Sequence, residues 1–220
     1  DGTYGWTKTM GGPGIDYASS GTVDSIGNIY LTGCFYDTTD FDPDPNTVDS
    51  HTSAGLSDIF LTRINFDGTY GWTKTMGGAH RNMSNSVTVD SSGSIYFAGF
   101  FYEHTDFDPD PNTTDHHSSA GSADIFLTKI NSDGTYGWTK TMGGTGDDLV
   151  EFVTVDSIGN IYLTGFFTGT VDLDPSAGTD RHTSAGASDI FLTKLIIVSA
   201  PEDLGVVNDA GCFISISAFQ

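Results

Sequence analysis

The chain repeats itself. The phrase DGTYGWTKTMGG stands unchanged at residues 1–12, 67–78 and 133–144, which sets a period of 66 residues. Between the copies run the same phrases in the same order. VDSIGNIYLTG (23–33 and 155–165) and VDSSGSIYFAG (89–99) come first, then FDPDPN (41–46 and 107–112) with a shorter LDPSAG at 173–178. SAGLSDIFLTRIN (53–65) closes the unit, matched at 119–131 and, as far as Leu195, at 184–195. A fixed period of this length means one supersecondary unit used repeatedly, each copy burying its apolar surface against the next. Residues 1–195 therefore form one repeat domain of units 1–66, 67–132 and 133–195, and residues 196–220 lie outside it.

Within a unit the hydrophobic period is two. Val87-Thr88-Val89 and Ile95-Tyr96-Phe97 flank Asp90-Ser91-Ser92-Gly93-Ser94, which reads as a hairpin. Ile125–Ile130 leads through Asn131-Ser132-Asp133-Gly134 into Tyr136–Met142, a second hairpin around an Asp-Gly turn. No segment carries a capped helical stripe. The expected fold is all-β, with three 66-residue, four-stranded antiparallel repeats resembling β-propeller blades and a short C-terminal β segment. A blade usually takes roughly 40–50 residues. The surplus sits between the second and third strands, at 36–57 and 102–123, as long polar loops projecting from one face.

Charge narrows the functions open to such a fold. The chain has 29 acidic against 8 basic residues, a net charge of −21, and only Glu103, Glu151 and Glu202 of the acids are Glu. Asp with Gly favours turns and oxygen-ligand cation sites. Nucleic acid and bare anionic membranes are not expected partners, because a polyanion repels them. The longest apolar run, Leu195–Val198, is far too short to span a bilayer, so neither a transmembrane segment nor a signal peptide is expected. The chain opens inside a motif, which reads as a mature or truncated product. Two cysteines, Cys34 and Cys212, make no disulfide scaffold, and few thiols with many Asp suit an extracellular or cell-surface location.

VDSIGNIYLTG, followed by VDLDP, SAGASDIFLTKL and GWTKTMGG, resembles the bacterial β-propeller repeat called SBBP, across residues 1–195. The resemblance implies a secreted or surface-attached propeller, one module of a longer protein, with no shared catalytic residue. This chain departs from that pattern in its long inserted loop and in having three units. Beyond it, Ser199–Cys212 followed by Phe213–Ser217 resembles the opening of a HYR immunoglobulin-like module, with Ala200 where that family places a Cys before the Pro. The other reading of this tail is a closing strand pair with a Pro-Glu-Asp turn.

Strand counting leaves a lone strand around Thr3–Met10 at the start and a last unit lacking its DGTYGWTKTM strand. Three blades are fewer than the 4–8 or so of closed propellers. Three repairs are open. Strand 3–10 of one subunit completes the unit of the next, head to tail, giving a ring or fibre; the tail Phe213–Phe219 fills the vacant edge; or further blades lie outside the chain.

Candidate chemistry follows the repeat. Asp40, Asp42 and Asp44 alternate with Phe41, Pro43 and Pro45 ahead of Asn46; Asp106, Asp108, Asp110 and Asn112 repeat this, and the third unit keeps Asp172 and Asp174. Alternate side chains of an extended segment share a face, so these carboxylates are candidate Ca2+ ligands; otherwise Asp before Pro builds turns. His51, His117 and His182 recur and read as scaffold residues, with His116-His117 and Asp115 a lesser transition-metal candidate. Asn82-Met83-Ser84 and Asn112-Thr113-Thr114 are glycosylation sequons, meaningful only in a glycosylating host. The eight-residue stretches 13–20, 79–86 and 145–152, with His80 and Arg81, vary between units and read as exposed turns or as carriers of individual contacts. Trp6, Trp72 and Trp138, with Tyr4, Tyr70 and Tyr136, read as inter-unit packing, or as sugar platforms if exposed. Cys34, in the place of Phe100 and Phe166, reads as buried.

These features point to a non-enzymatic, secreted structural repeat protein that forms homo-oligomers or polymers by donating strand 3–10. The second expectation is an extracellular module binding glycans or surface proteins through loops 36–57 and 102–123. The third is a propeller-type glycan-degrading enzyme.

Overall fold

A computed structural model describes residues 1–197. Among these residues there is no helix, and fifteen strands are present. The tail 198–220, with its HYR-like phrase, lies outside the described residues.

The first sheet starts with β1 (Asp16–Val23) and β2 (Ile29–Phe35). A small hairpin of β3 (Thr38–Asp40) and β4 (Ser50–Thr52) follows, then β5 (Asp58–Ile64) and β6 (Tyr70–Gly78) complete the sheet. Its order is β1-β2-β5-β6, antiparallel throughout. The second group is β7 (Asn82–Val89), β8 (Ile95–Asp106), β9 (His116–Ile130) and β10 (Tyr136–Gly144), paired in the same way. The third is β11 (Asp148–Val155), β12 (Ile161–Phe167), the hairpin β13 (Thr170–Asp172) and β14 (Arg181–Thr183), and β15 (Asp189–Leu195), with β11-β12-β15 as its sheet. Short strand pairings join one group to the next: Gly77–Gly78 of β6 pair with Asp106–Thr105, and Gly143–Gly144 of β10 pair with Asp172–Val171, while the Asn82 amide donates to the Ser57 carbonyl.

The sheets stack face to face. Tyr30, Ile59, Leu61 and Met76 of the first meet Val87, Phe97, Phe101, Phe107 and Phe126 of the second. The second turns its other face, with Tyr96, Ala98, Ile125, Leu127 and Met142, onto Val150, Val153, Leu163, Phe167 and Phe191 of the third. Period-two alternation therefore gives the middle sheet two buried faces. The strands β1, β7 and β11 lie side by side and are cross-tied: the Val87 amide donates to Ser20 Oγ (3.3 Å) and the Val153 amide to Ser86 Oγ (3.2 Å).

Three expectations need correction. The variable stretches are not loops, since 16–20, 82–86 and 148–152 lie within β1, β7 and β11. A bulge at the same place in each strand, between Ala18 and Ser20, Ser84 and Ser86, Val150 and Phe152, breaks the alternation that would have marked them as strands. The glycine opposite each bulge is compulsory, because a Cβ on Gly33, Gly99 or Gly165 would lie 1.9, 2.0 or 1.9 Å from the carbonyl oxygen of Tyr17, Met83 or Leu149. Secondly, the long insertions do not simply project. Each forms a hairpin that reaches back to the preceding group's fourth strand, or, for Asp40, to Gly11. Thirdly, the lone strand expected around Thr3–Met10 has no strand partner among the described residues, and the chain first bridges next to it, from Gly11 to Asp40.

Candidate functional site: acidic hairpins and open sheet faces

Each insertion is anchored by one side chain and shaped by its Asp residues. Phe107 is fully buried with Phe101 and Phe126 at ring distances of 5.2 and 5.1 Å, and Phe41 packs likewise on Phe35 and Phe60. Leu173 takes that place in the third group. Asp40 Oδ1 accepts the amides of Asp42 (3.1 Å) and Asp49 (2.9 Å), Asp42 Oδ1 accepts the Asp44 amide, and Asp44 Oδ1 accepts the Asn46 amide. The second hairpin repeats this staircase from Asp106 through Asp108 and Asp110 to Asn112. The third keeps Asp172 and Asp174, with Ser176 as the last step.

These are successive Asx turns. The backbone amides of Asn46 and Asn112 hold the Asp44 and Asp110 carboxyls below the usual carboxylate range. Among the described residues, no three His, Cys, Asp or Glu side chains are grouped to hold a metal ion. The proposed ligand sets are thus strung along a turn rather than gathered around one point.

Behind each staircase a polar relay ties the hairpin to the sheet. Tyr70 Oη donates to Asp49 Oδ2, His51 Nε2 lies 3.2 Å from Asp49 Oδ1, and His51 Nδ1 is 3.2 Å from Thr75 Oγ1. Tyr136, Asp115, His117 and Thr141 form the same relay. Burial, with the carboxylate bond, drives the phenols of Tyr70 and Tyr136 well above their ordinary range. In the third group Asp180 and His182 pair at 3.0 Å without Tyr or Thr partners. His116 does not join His117 around an ion; it stacks on His104 at 4.8 Å. Sequence reading placed the recurrent His in the scaffold but missed its partners, whose signal was the equally strict recurrence of Tyr70/Tyr136 and Thr75/Thr141.

A second buried carboxylate was not foreseen. Asp58 opens β5 and Asp124 stands at the equivalent point inside the longer β9, each just ahead of the Ile-Phe-Leu run, and burial pushes both up to about 6. They lie against the Gly-Gly pairs: a Cβ on Gly77 or Gly143 would sit 2.1 or 2.2 Å from the carboxyl carbon. The constancy of Gly-Gly after Thr-Met was the available signal.

The remaining candidates are placed as follows. Trp72 and Trp138 pack beside Tyr30 and Tyr96 at 6.2 Å, with Lys74 and Lys140 over their rings. Cys34 is buried. Asn82 is fully buried, its Oδ1 accepting from Thr105 Oγ1 and its amide donating to His80 carbonyl, so the folded chain offers no acceptor there. Asn112 is exposed, its amide bonded to Asp110.

The two outer faces differ from the internal ones. Ile190 and Leu192 of β15 are 88% and 75% exposed, although their counterparts Ile59, Leu61, Ile125 and Leu127 are all at 0%. At the other end, Phe35, Phe41 and Phe60 form a small cluster beside a cleft lined by Met10, Tyr17, Ala18 and Leu31. The segment 1–10 lies along this first sheet. Trp6 stands against Gly68 as Trp72 stands against Gly134, and Lys8 shares a cleft with Asp42, Asp44 and Tyr70.

No family model matches the chain. It is 26% identical, over 226 aligned residues covering 92% of it, to an uncharacterized WD repeat-containing protein of Acanthamoeba polyphaga mimivirus. Over 206 residues, 84% of the chain, it is 26% identical to the regulatory protein FlaEY of Caulobacter vibrioides. The chain spans 16% and 21% of the lengths of these two relatives. The likeness to a WD repeat-containing protein fits an all-β fold of repeated, propeller-like antiparallel sheets.

Proposed function

We propose that the chain is a non-enzymatic structural module of three propeller-blade units. Its end faces take up units of the same kind, and a second copy docks head to tail by lending residues 3–10 to β15. The observation that carries this is the exposure of Ile190 and Leu192, which occupy positions buried completely at both internal junctions. Burying such a pair contributes several kcal/mol, at about 1.5–3 kcal/mol per side chain. The complementary face is the Phe41–Phe60 cleft of the first sheet, built from the residues that receive Ile59 and Leu61 one unit later.

The register follows from β5 and β6, where Ile59 faces Met76, Leu61 faces Lys74 and Arg63 faces Trp72. Carried over, Ile190, Leu192 and Lys194 face Met10, Lys8 and Trp6 of the second copy. Tyr4 and Thr9 of that copy then complete the relay on Asp180 and His182. The excess of acidic residues and the SBBP-like phrases support a place outside the cell or at its surface.

The test is the mass distribution of the 220-residue chain across concentration, followed by electron microscopy. Head-to-tail rings or fibres are expected, and Leu192→Asp or removal of residues 1–12 should abolish them while circular dichroism stays unchanged. A monomer at every concentration would sink the proposal. The alternative would then lead: a module within a longer chain that presents its acidic hairpins to a glycan or protein. The greater length of both relatives favours that second reading.

A further inference from the structure

The two internal junctions are copies of each other except at one buried point. Asp58 Oδ2 accepts the Ala54 amide and Asp124 Oδ2 the Ala120 amide, both at 2.8 Å, and in each the Oδ1 has no partner. What faces them comes from the first strand of the next sheet. At the first junction it is Asn82, whose side-chain amide supports the Asp58 charge and whose Oδ1 is satisfied by Thr105. At the second it is Asp148, fully buried, with both carboxyl oxygens unpartnered. The hydroxyl that serves Asn82 is missing there, because Val171 stands where the earlier units have Thr39 and Thr105.

The charges acting on this point are all of one sign. Asp148 acts on Asp124, and Asp147, held by Ser122 Oγ, acts on Asp148; against this, the Gly144 amide favours the charged form of both carboxyls and the Thr168 amide that of Asp148, while burial outweighs them. No cationic group is among the influences on either carboxyl. Two like charges enclosed together cannot both be ionised cheaply, so such a pair retains one proton and titrates in two steps.

We infer that Asp124 and Asp148 share a single proton, making the junction of the second and third sheets a pH-sensitive closure that loosens when that proton leaves. The sign is set by linkage. The folded pair binds a proton that the unfolded chain has released, so its contribution is complete below the ordinary carboxylate range. It is lost as pH rises through the pair's upper step. The first junction, with a neutral Asn82, has a single carboxyl to ionise and serves as the internal reference.

Carbon-detected NMR titration of the Asp58, Asp124 and Asp148 carboxyls in the full chain tests this. Asp58 should show one step. Asp124 and Asp148 should move together in two steps, separated by more than about one pH unit, the upper lying above that of Asp58. Asp148→Asn should return Asp124 to a single step like that of Asp58, and Asn82→Asp should split the Asp58 titration in turn. Amide exchange, corrected for intrinsic rate, should show β11, β12 and β15 losing about tenfold more protection than β1, β2 and β5 between pH 5 and 8. That difference should vanish in Asp148→Asn. A single Asp124 step coincident with Asp58 in the unmodified chain overturns the inference. If Asp148→Asn does not fold, an unsplit Asp58 titration in Asn82→Asp overturns it equally.

Discussion

Phe107 offers a direct measure of how firmly an acidic hairpin is held. Its ring is fully buried between Phe101, Phe126 and His117, at 5.2, 5.1 and 5.6 Å, and it is the only large apolar side chain of residues 103–115. Phe107→Ala removes that anchor and leaves a cavity under backbone that the Asp106 staircase and the Gly77–Gly78 pairing hold in place. With little room to collapse, the cost should reach about 4 kcal/mol, within the usual range for buried Phe→Ala. For a chain of this size that lowers the melting temperature by about 8–16 °C. Phe107→Leu should cost less than about 1.5 kcal/mol, since Leu173 does the same work in the third unit. Urea denaturation followed by tryptophan fluorescence reads both, and the slope should stay the same. A Phe107→Ala loss below about 1.5 kcal/mol would mean that the hairpin is not anchored through its ring, and the packing argument would fail.

Other outcomes follow from the same geometry. Gly99→Ala places a Cβ 2.0 Å from the Met83 carbonyl oxygen and should cost about 3 kcal/mol, whereas Gly186→Ala, with nothing within 4 Å, should stay within about 0.5 kcal/mol; equal effects in thermal melts would refute the bulge assignment. Asp156, held down to about 2 by its Asn160 bonds, stabilises the fold above the ordinary carboxylate range and stops doing so as pH falls. Asp58, pushed up to about 6 by burial, and the Asp124–Asp148 pair, which burial also raises, act oppositely, and their contribution fades as pH rises. Urea midpoints should therefore peak near pH 4–5, between the two sets, and a steady rise from pH 4 to 7 would contradict the sign of the buried group.

The strands β2, β5 and β6 and their copies were legible because each carries a period-two pattern and borders an Asp-Gly or Asp-Ser turn at one end. The first halves of β1, β7 and β11, before the Val-Thr-Val type ends that read as hairpin strands, were not. Their bulges shift the alternation midway, and Ser19, Ser20, Ser84 and Ser86 carry no β-branched signature where neighbouring strands approach closely. The Asp-Pro runs could be read as turns or as ligands from spacing alone, since spacing does not say where each oxygen points. Asp58 and Asp124 escaped notice because they stand directly before an apolar run, and the Gly-Gly pair across the junction betrays them. Asp148 was hidden further, because its meaning depends on Val171, a residue on another hairpin.

The DGTYGWTKTMGG phrase opens each sequence repeat, yet β6 and β10 make it the last strand of the preceding sheet. The heritable unit and the folding unit are therefore out of phase by one strand. Recombination between two copies of that phrase inserts or removes 66 residues as a fourth strand for the old sheet and three for the new. The join falls inside identical residues, so every product keeps its internal sheets whole and only the number of sheets changes. A lineage can thus lengthen or shorten this scaffold in one step, with no intermediate whose sheets are broken.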